Sequence, residues 1–242
     1  MSQQQSFTAE AWSATSDIRV AIDDHPFLRE LRDGTLAEGR FTTYLTQDAH
    51  YLIGYARALS LCAAQASTPA DIAFWAANAR DAIVVERSLH EVRVGGLSAV
   101  EPSPTCRAYL SFLLATAGEG SYPVLAAALL PCFWIYEDVG RRLKNSVELA
   151  GHPYADWIDT YGDPAFAAAT EQVKVIVEGL AERAGDEVRQ RMHAAFAAAA
   201  RYEWMFWDAA WRGESWPVFN AANGSATSTA TTNDAMDADS HG

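Results

Sequence analysis

Apolar side chains recur at helical spacing along most of this sequence, separated by short stretches rich in glycine, proline, serine and threonine. The two longest helical patterns run from about Glu38 to Ala66 and from about Ala70 to Val94. Nowhere does a run of about four to eight residues alternate apolar and polar side chains between turn signals, as a half-buried strand would. The pattern therefore predicts an all-α protein of roughly eight or nine helices joined by short loops.

Capping and breaking residues set the limits of the other predicted helices. In the first half of the chain, a helix runs from Ser6 to a break at Asp24, and a short helix after it is closed by Gly34. In the second half, one helix runs from Ser103 or Thr105 to about Ala117, another from Ser121 to the region 141–145, and a short piece lies around 153–160. The last two helices are one capped by Asp163 that ends near Gly185 and one capped by Asp186 that runs to about Trp211. The composition then shifts abruptly to small and polar residues. We therefore expect one helical domain over residues 1–212 and a disordered tail over residues 213–242.

The composition disfavours several classes of partner. Half of the 242 residues are hydrophobic, which permits a sizeable core, and the net charge is −13. This excess of negative charge disfavours nucleic acid or an anionic membrane as a partner. No apolar run approaches the roughly eighteen residues that span a bilayer, and the segment from Met1 to Glu10 lacks the features of a signal peptide. We expect a cytoplasmic protein.

The potential metal ligands do not form a metal-binding pattern. The three cysteines, Cys62, Cys106 and Cys132, are far apart and have no CxxC spacing, which favours free thiols in a reducing compartment. Glu86 and His90 lie four residues apart, but a carboxylate-bridged di-iron bundle needs Glu-x-x-His pairs from two helices. We expect neither a metal nor another cofactor.

The segment from Leu129 to Gly140 places a thiol and a phenol on one helix face. Cys132 and Tyr136 are one turn apart, close enough to touch, and Pro131 should kink the helix just before the cysteine. A thiol beside a phenol on a buried helix suits a nucleophile. A lone cysteine on an apolar helix is also a common small core residue, so this segment alone leaves both interpretations open.

A second polar group lies within the long helix predicted from Glu38. Tyr44, Asp48, Tyr51 and Tyr55 follow one another at helical spacing and form one stripe that should face the interior. A buried carboxylate is costly unless it is hydrogen-bonded, and its pKa is readily shifted. The stripe fits a functional site and a structural hydrogen-bond network equally well.

The last predicted helix carries a carboxylate among aromatic residues. Glu203 and Phe206 share a face, and the alanine-rich stretch before them permits close helix packing. A lone glutamate on a helix is usually solvated. Tyr109 and Tyr161, on two other helical segments, would each pass as an ordinary core tyrosine.

These residues and their neighbours form an ordered set of motifs. The set comprises His25-Pro26-Phe27 with Leu31 and Gly34-Thr35-Leu36, then Phe41 with Tyr44-Leu45, Gln47-Asp48 and Tyr51-Leu52, then Leu129-Leu130-Pro131-Cys132 with Trp134 and Tyr136, and finally Glu203 with Phe206-Trp207. In order and spacing the set resembles the TenA (thiaminase II) family over about residues 7–212. The resemblance implies a single-domain, all-α, haem-oxygenase-like helical bundle without haem, assembled as a homotetramer.

The resemblance also implies a reaction, thiamin-salvage hydrolysis. Such enzymes release 4-amino-5-hydroxymethyl-2-methylpyrimidine from thiamin or from the corresponding aminomethylpyrimidine. By position, Cys132 matches the nucleophile of the family's cysteine-containing branch, Glu203 its acid/base, and Asp48 the carboxylate that holds the amino edge of the pyrimidine. The residues that match the family's aromatic pocket are Tyr51, Tyr109, Tyr136, Tyr161 and Phe206.

The chemistry of these residue types agrees with that role. A buried glutamic acid can protonate a ring nitrogen, which makes C6 of the pyrimidine electrophilic enough for a thiolate, and Tyr136 can orient the thiol by a hydrogen bond. Two other classes stay open. One is another enzyme on the same fold, such as a quinone-cofactor synthase or a metal-dependent oxidase, which bound iron or a histidine-lined pocket would indicate. The other is a non-catalytic or regulatory pyrimidine-binding protein, in which Cys132 would be unreactive.

Overall fold

The computed structural model describes residues 6–93 and 100–218, without the side chains of residues 85–93. The described part contains ten α-helices and no strand, which confirms the all-α prediction. In chain order the helices are α1 (Phe7–Ala14), α2 (Ser16–Asp23), α3 (Pro26–Arg32), α4 (Glu38–Gln65), α5 (Pro69–Arg93), α6 (Pro104–Gly118), α7 (Tyr122–Ser146), α8 (Ala155–Tyr161), α9 (Pro164–Arg183) and α10 (Asp186–Arg212).

Two of the predicted helix limits are wrong. The predicted first helix is two helices, because the backbone leaves helical geometry at Thr15 (φ −110°, ψ 19°), between α1 and α2. The buried hydroxyl of Thr15 donates to the carbonyl oxygen of Ala11 at 2.9 Å, a local bond that competes with helix continuation. At the other end of the chain, Asp186 is predicted to cap the last helix, but Gly185 is the N-cap of α10. Asp186 lies in the first turn, where its negative charge interacts favourably with the positive end of the helix dipole.

Helices α4, α7 and α10 form the centre of the bundle. α7 packs mainly against α10, α9 and α8, and α4 packs mainly against α5 and α6. Two glycines permit the closest approaches. A Cβ atom at Gly140 of α7 would lie 2.4 Å from the carbonyl carbon of Tyr161, and one at Gly54 of α4 would lie 2.3 Å from Cδ2 of Leu110. The absence of a side chain at these positions lets α8 and α6 bring Tyr161 and Tyr109 against the central helices.

One helix of the described chain, α7, is long and apolar enough to cross a membrane by length and composition. The sequence predicts no run of this kind. In the fold, however, 78% of the most apolar 18-residue stretch of α7 is buried. A helix that is hydrophobic on nearly all sides and covered by other helices is the core helix of a bundle.

The chain continues in contact with the bundle after α10. Gly213 ends α10 in the left-handed conformation (φ 63°), and Glu214 then accepts hydrogen bonds from the backbone nitrogen (2.8 Å) and the hydroxyl (3.0 Å) of Thr105 at the start of α6. The indole nitrogen of Trp216 donates to the carbonyl oxygen of Pro102 at 2.9 Å. These contacts lie beyond residue 212, where the sequence predicts that the tail begins, and residues 219–242 lie outside the described residues.

Candidate active site

The bundle brings all of the candidate site residues together between α4, α6, α7, α8 and α10. The ring centroid of Tyr51 on α4 lies 4.9 Å from that of Tyr109 on α6 and 5.5 Å from that of Phe206 on α10. The rings of Tyr136 on α7 and Tyr161 on α8 are 4.8 Å apart. All five aromatic residues are buried. Together they form a cluster of aromatic faces of the kind that contacts a flat, apolar-faced ring.

Glu203 is a buried carboxyl whose surroundings favour the protonated form. Its side chain is 1% exposed, and the hydroxyl of Tyr109 donates a hydrogen bond to Oε1 at 2.6 Å. Burial raises the pKa of Glu203 to about 8, the bond from Tyr109 lowers it, and the negative charge of Asp48 raises it. Glu203 is therefore a carboxylic acid at neutral pH and can donate a proton there.

Asp48 is the second carboxyl of the same site. It is 1% exposed, and its charge contributes to the raised pKa of Glu203, Cys132 and Tyr136. Two carboxyl groups in one desolvated site do not ionise independently. The two carboxyl groups are therefore electrostatically coupled.

Cys132 differs from the other two cysteines in its exposure. Cys62 and Cys106 are buried, whereas Cys132 is partly accessible at the edge of the core. Burial of the sulfur and the negative charge of Glu203 raise the pKa of Cys132 well above its usual value, whereas the hydroxyls of Tyr51 and Tyr55 lower it. At neutral pH the free site therefore holds a thiol, and a reaction that uses the thiolate needs an acceptor for its proton.

The tyrosines whose hydroxyls lower the pKa of the Cys132 thiol, Tyr51 and Tyr55, are on α4. Spacing along the helix of Cys132 does not reveal them.

Tyr136, which shares α7 with Cys132, accepts a hydrogen bond from Tyr44 at 3.2 Å, and Tyr44 also accepts one from the indole nitrogen of Trp157 at 3.3 Å. That bond does not use the hydroxyl proton of Tyr136, so the role of Tyr136 in orienting the thiol stays a prediction.

Two tyrosines of the α4 stripe, Tyr44 and Tyr55, support the site although the resemblance assigns them no role. Tyr44 supports Tyr136 through the hydrogen bond above. The hydroxyl of Tyr55 donates to the carbonyl oxygen of Leu129 at 2.8 Å, in the turn of α7 before Cys132. The signal in the sequence was their spacing from Asp48, which places all four stripe residues on one face of α4.

The hydroxyl of Tyr51 is buried and makes no hydrogen bond of ordinary geometry to a described residue, although it lies near enough to Cys132 to lower the pKa of the thiol. Its ring is fixed between Tyr109 and Phe206, so the hydroxyl cannot readily turn to solvent. A buried donor without an acceptor costs free energy that a ligand or a charged intermediate can recover. Tyr51 is therefore placed to donate to the sulfur when Cys132 becomes a thiolate.

No group of three His, Cys, Asp or Glu side chains converges as metal ligands in the part of the chain whose side chains are described. The side chains of Glu86 and His90, the pair weighed as metal ligands in the sequence, lie outside that part.

The sequence is similar to proteins of one family along most of its length. A sequence model of the TENA/THI-4/PQQC family matches residues 12–213. The chain is 34% identical over 218 residues to the aminopyrimidine aminohydrolase of Bacillus subtilis, and the match covers 87% of this chain and 92% of that protein. It is 39% identical over 215 residues to the thiamine biosynthesis multifunctional protein ThiED of Corynebacterium efficiens. The chain spans only 28% of the length of that protein and 27% of the ThiED protein of Corynebacterium glutamicum.

The fold is similar to solved structures of the same family. A TenA homologue from P. horikoshii superposes with a TM-score of 0.77 at 29% identity, over 86% of this chain and 100% of that one. A domain from Shewanella denitrificans described as having a heme oxygenase-like fold gives a TM-score of 0.66 at 14% identity, over 86% and 93% of the two chains. The haem-oxygenase-like architecture expected from the sequence is confirmed.

Proposed function

The chain belongs to the TENA/THI-4/PQQC family, and from this premise we propose that it is an aminopyrimidine aminohydrolase of the thiaminase II type. It hydrolyses thiamin or the corresponding aminomethylpyrimidine to 4-amino-5-hydroxymethyl-2-methylpyrimidine. The observation that carries the proposal is a partly accessible thiol, Cys132, in the same aromatic pocket as Glu203, whose pKa of about 8 keeps it protonated at neutral pH. A nucleophile and an acid that share one pocket are what addition to an electron-poor ring requires.

In the proposed complex the pyrimidine ring is held by its polar edge and its flat faces. Asp48 accepts a hydrogen bond from the exocyclic amino group, a pure donor that suits a carboxylate. The aromatic residues Tyr51, Tyr109, Tyr136, Tyr161 and Phe206 contact the ring. Holding the amino edge at Asp48 fixes which ring nitrogen is presented to Glu203, so the two carboxyl groups serve different edges of one ring.

The protonation states of the free site supply the protons that the addition step needs. Glu203 gives its proton to the ring nitrogen next to C6, and the carboxylate that results accepts the proton of the Cys132 thiol. The sulfur then forms a bond to C6, and the electron pair of the C6–N double bond moves to the protonated nitrogen. Tyr51 donates its free hydroxyl to the developing thiolate. No base other than Glu203 is required for this step.

Addition at C6 prepares the departure of the substituent on the neighbouring carbon. The electrons of the reduced ring form a double bond to the exocyclic methylene carbon, and the bond from that carbon to the leaving group breaks with its electron pair on the leaving group. Water adds to the methylene carbon and loses one proton. Expulsion of the sulfur restores the aromatic ring and the thiol. Overall, hydroxide from water replaces the leaving group. With the aminomethylpyrimidine the other proton of the water ends on the departing nitrogen as ammonia, whereas with thiamin the thiazole leaves as a neutral molecule and that proton is released.

The direct test is product formation by the purified protein. Incubation with thiamin and, separately, with the aminomethylpyrimidine should give hydroxymethylpyrimidine from at least one of them, measured by chromatography. The same protein with Cys132→Ser is the control for non-enzymatic hydrolysis. Tight binding of the pyrimidine without any product would identify a binding protein instead.

We also propose that the chain assembles as a homotetramer. A surface groove of about 820 Å³ between α4, α5 and α6 includes the apolar side chains of Ile53, Leu61, Ile83 and Leu114, and Leu61 is 42% exposed. An exposed apolar groove of this kind is typical of a subunit interface. Analytical ultracentrifugation of the purified protein measures the oligomer directly, and a monomer at micromolar concentration would contradict the proposal.

We propose a cytoplasmic location because the cysteines form no disulfide bonds. Cys62, Cys106 and Cys132 are all free thiols in the fold. Free thiols persist in a reducing compartment. Cell fractionation with an antibody to the protein tests this.

A further inference from the structure

Cys132 lines a half-open cavity of about 110 Å³ between α4, α5, α7 and α9. Its other lining residues include Tyr55, Asn78, Ala82, Phe133 and Phe166. Cys132 and Tyr55 are the residues that this cavity shares with the candidate active site, and the five aromatic residues assigned to the pyrimidine do not line it. The thiol therefore lies at the boundary between the pyrimidine-site residues and this cavity.

The walls of the cavity are mainly apolar and aromatic. The ring centroids of Tyr55 and Phe133 are 6.0 Å apart, and those of Phe133 and Phe166 are 6.1 Å apart and nearly parallel, at an interplanar angle of 19°. The hydroxyl of Tyr55 is occupied by its bond to the carbonyl oxygen of Leu129. The polar side chains are Asn78 and Asp81 on α5, and Asp81 is exposed. The polar groups contributed by α5 are accordingly next to solvent, and the aromatic walls come from α4, α7 and α9.

The geometry of the proposed reaction places the leaving group beside the sulfur. Cys132 attacks C6 of the pyrimidine, and the leaving group is carried by the methylene on the adjacent ring carbon. It is thus a few bonds from the sulfur whichever way the methylene rotates. In the proposed complex the pyrimidine contacts the aromatic residues and carboxyl groups of the site, so the cavity beside the sulfur is available to the leaving group.

On the basis of the proposed function, we propose that this cavity is the leaving-group subsite and that it receives a five-membered aromatic heterocycle, the thiazole of thiamin. Its volume of about 110 Å³ is smaller than the roughly 150 Å³ apolar cavity that holds a benzene ring, so it suits one five-membered ring but not a fused ring system. The substituents of the heterocycle extend through the open side towards Asn78 and Asp81.

The aromatic lining suits the heterocycle in both of its charge states. The thiazolium ring is a cation in the substrate and becomes neutral when it takes the electron pair of the broken bond. Aromatic faces attract the bound cation, and the apolar surroundings favour the neutral ring that forms. Ammonia, the leaving group of the aminomethylpyrimidine, is too small to need these walls.

The test fills the cavity from α5, away from the catalytic residues. Ala82→Phe places a ring in the cavity, and Ala82→Leu fills it partly. Ala77→Phe, on an exposed position of the same helix, is the matched control for a new aromatic residue. We expect Ala82→Phe to lower kcat/KM for thiamin at least tenfold, with Ala82→Leu intermediate, while both variants keep kcat/KM for the aminomethylpyrimidine within about twofold of the wild type.

A second measurement uses binding of the free heterocycle. The released thiazole alcohol should inhibit hydrolysis of the aminomethylpyrimidine by the wild type and by Ala77→Phe, and should inhibit Ala82→Phe at least tenfold less. Equal losses with both substrates, or no loss with either, would overturn the subsite while leaving the proposed function intact. Absence of turnover of both substrates by the wild type would instead overturn the proposed function and, with it, the subsite.

Discussion

The hydroxyl of Tyr109 on α6 donates a 2.6 Å hydrogen bond to Oε1 of Glu203 on α10, and both groups are buried. This bond opposes the effect of burial, because it favours the ionised carboxylate. It also leaves the second carboxyl oxygen to carry the proton that the ring nitrogen receives. Tyr109 thus sets both the orientation and the acidity of Glu203.

The first prediction concerns Tyr109→Phe. Loss of the hydrogen bond removes a contribution that lowers the pKa of Glu203, so that pKa should rise above its value of about 8. Activity that depends on protonated Glu203 is present below this pKa and falls as the pH rises through it. The alkaline limb of the pH profile of kcat/KM should therefore move to higher pH, and kcat should fall roughly tenfold because the acid is less well oriented.

The control for this variant is Tyr202→Phe. The ring of Tyr202 stacks on that of Tyr109, with centroids 5.0 Å apart at an angle of 10°, and contributes no hydrogen bond to Glu203 among the described contacts. This variant should leave the alkaline limb in place. A limb that stays fixed in Tyr109→Phe, or that moves to lower pH, would show that the hydrogen bond does not control the acidity of Glu203.

The second prediction concerns stability and pH. The folded-state pKa of Glu203, about 8, lies above its ordinary value of 4.5, so Glu203 ionises at lower pH in the unfolded chain than in the folded one. The contribution of protonated Glu203 to stability is fully present below about pH 4.5 and is lost as the pH rises through about 8. Glu203→Gln keeps an acceptor for Tyr109 and cannot ionise. The wild type should therefore lose a few kcal/mol of stability between pH 5 and pH 9 that the variant does not lose. The Tm of the variant minus that of the wild type should increase over this range by about 5 °C or more. A Tm difference that is constant with pH would contradict the raised pKa.

Much of the fold and site can be predicted from the sequence because the signals lie within single helices. A period of 3.6 residues places Asp48 and Tyr51 on one face of α4, whatever the neighbouring helices are. The Asp163-Pro164 pair marks the start of α9, since the aspartate side chain accepts from the backbone of Ala165 at 2.7 Å. Such features need no knowledge of the tertiary structure.

The contacts between helices are what the sequence does not specify. The hydroxyls of Tyr51 and Tyr55 on α4 lower the pKa of Cys132, whereas spacing along α7 indicates only Tyr136. The bond between Glu214 and Thr105 joins residues 109 positions apart, so a composition shift after residue 212 gives no indication of it. The aromatic cavity beside Cys132 likewise depends on four helices. Each of these is set by packing, and no local pattern encodes it.

The third prediction concerns the three thiols. Cys132→Ser should lose turnover by about a hundredfold or more while it still binds the pyrimidine, because the covalent route is removed and the pocket is kept. Cys106→Ala is the control, since Cys106 is buried and its sulfur contacts the backbone carbonyl oxygen of Gln47 at 3.6 Å. It should lower stability and leave kcat nearly intact. Wild-type turnover in Cys132→Ser would falsify the nucleophile assignment.

The fourth prediction concerns the segment after α10. Truncation after Arg212 removes the two hydrogen bonds from Thr105 to Glu214, one of which satisfies a free backbone donor at the start of α6. Loss of such a cap costs about 0.5–2 kcal/mol, so the Tm should fall by a few degrees. The oligomer should not change, because the segment carries no apolar pattern. Truncation after Val218 keeps both contacts and is the control. A monomer after either truncation, measured by sedimentation, would show that the segment holds the assembly together.

The last prediction separates the two carboxyl groups. Glu203→Gln keeps the shape and the bond from Tyr109 but cannot transfer a proton, so turnover should collapse while ligand affinity is largely kept. Asp48→Asn replaces a pure acceptor with a group that also donates, next to the amino group of the substrate. A mismatched buried pair costs about 1–3 kcal/mol, so affinity should fall roughly tenfold or more together with turnover. Calorimetry with hydroxymethylpyrimidine and single-turnover rates measure the two effects separately. Normal affinity in Asp48→Asn with weakened affinity in Glu203→Gln would mean that the two roles are reversed, and full activity in both variants would place the pyrimidine elsewhere.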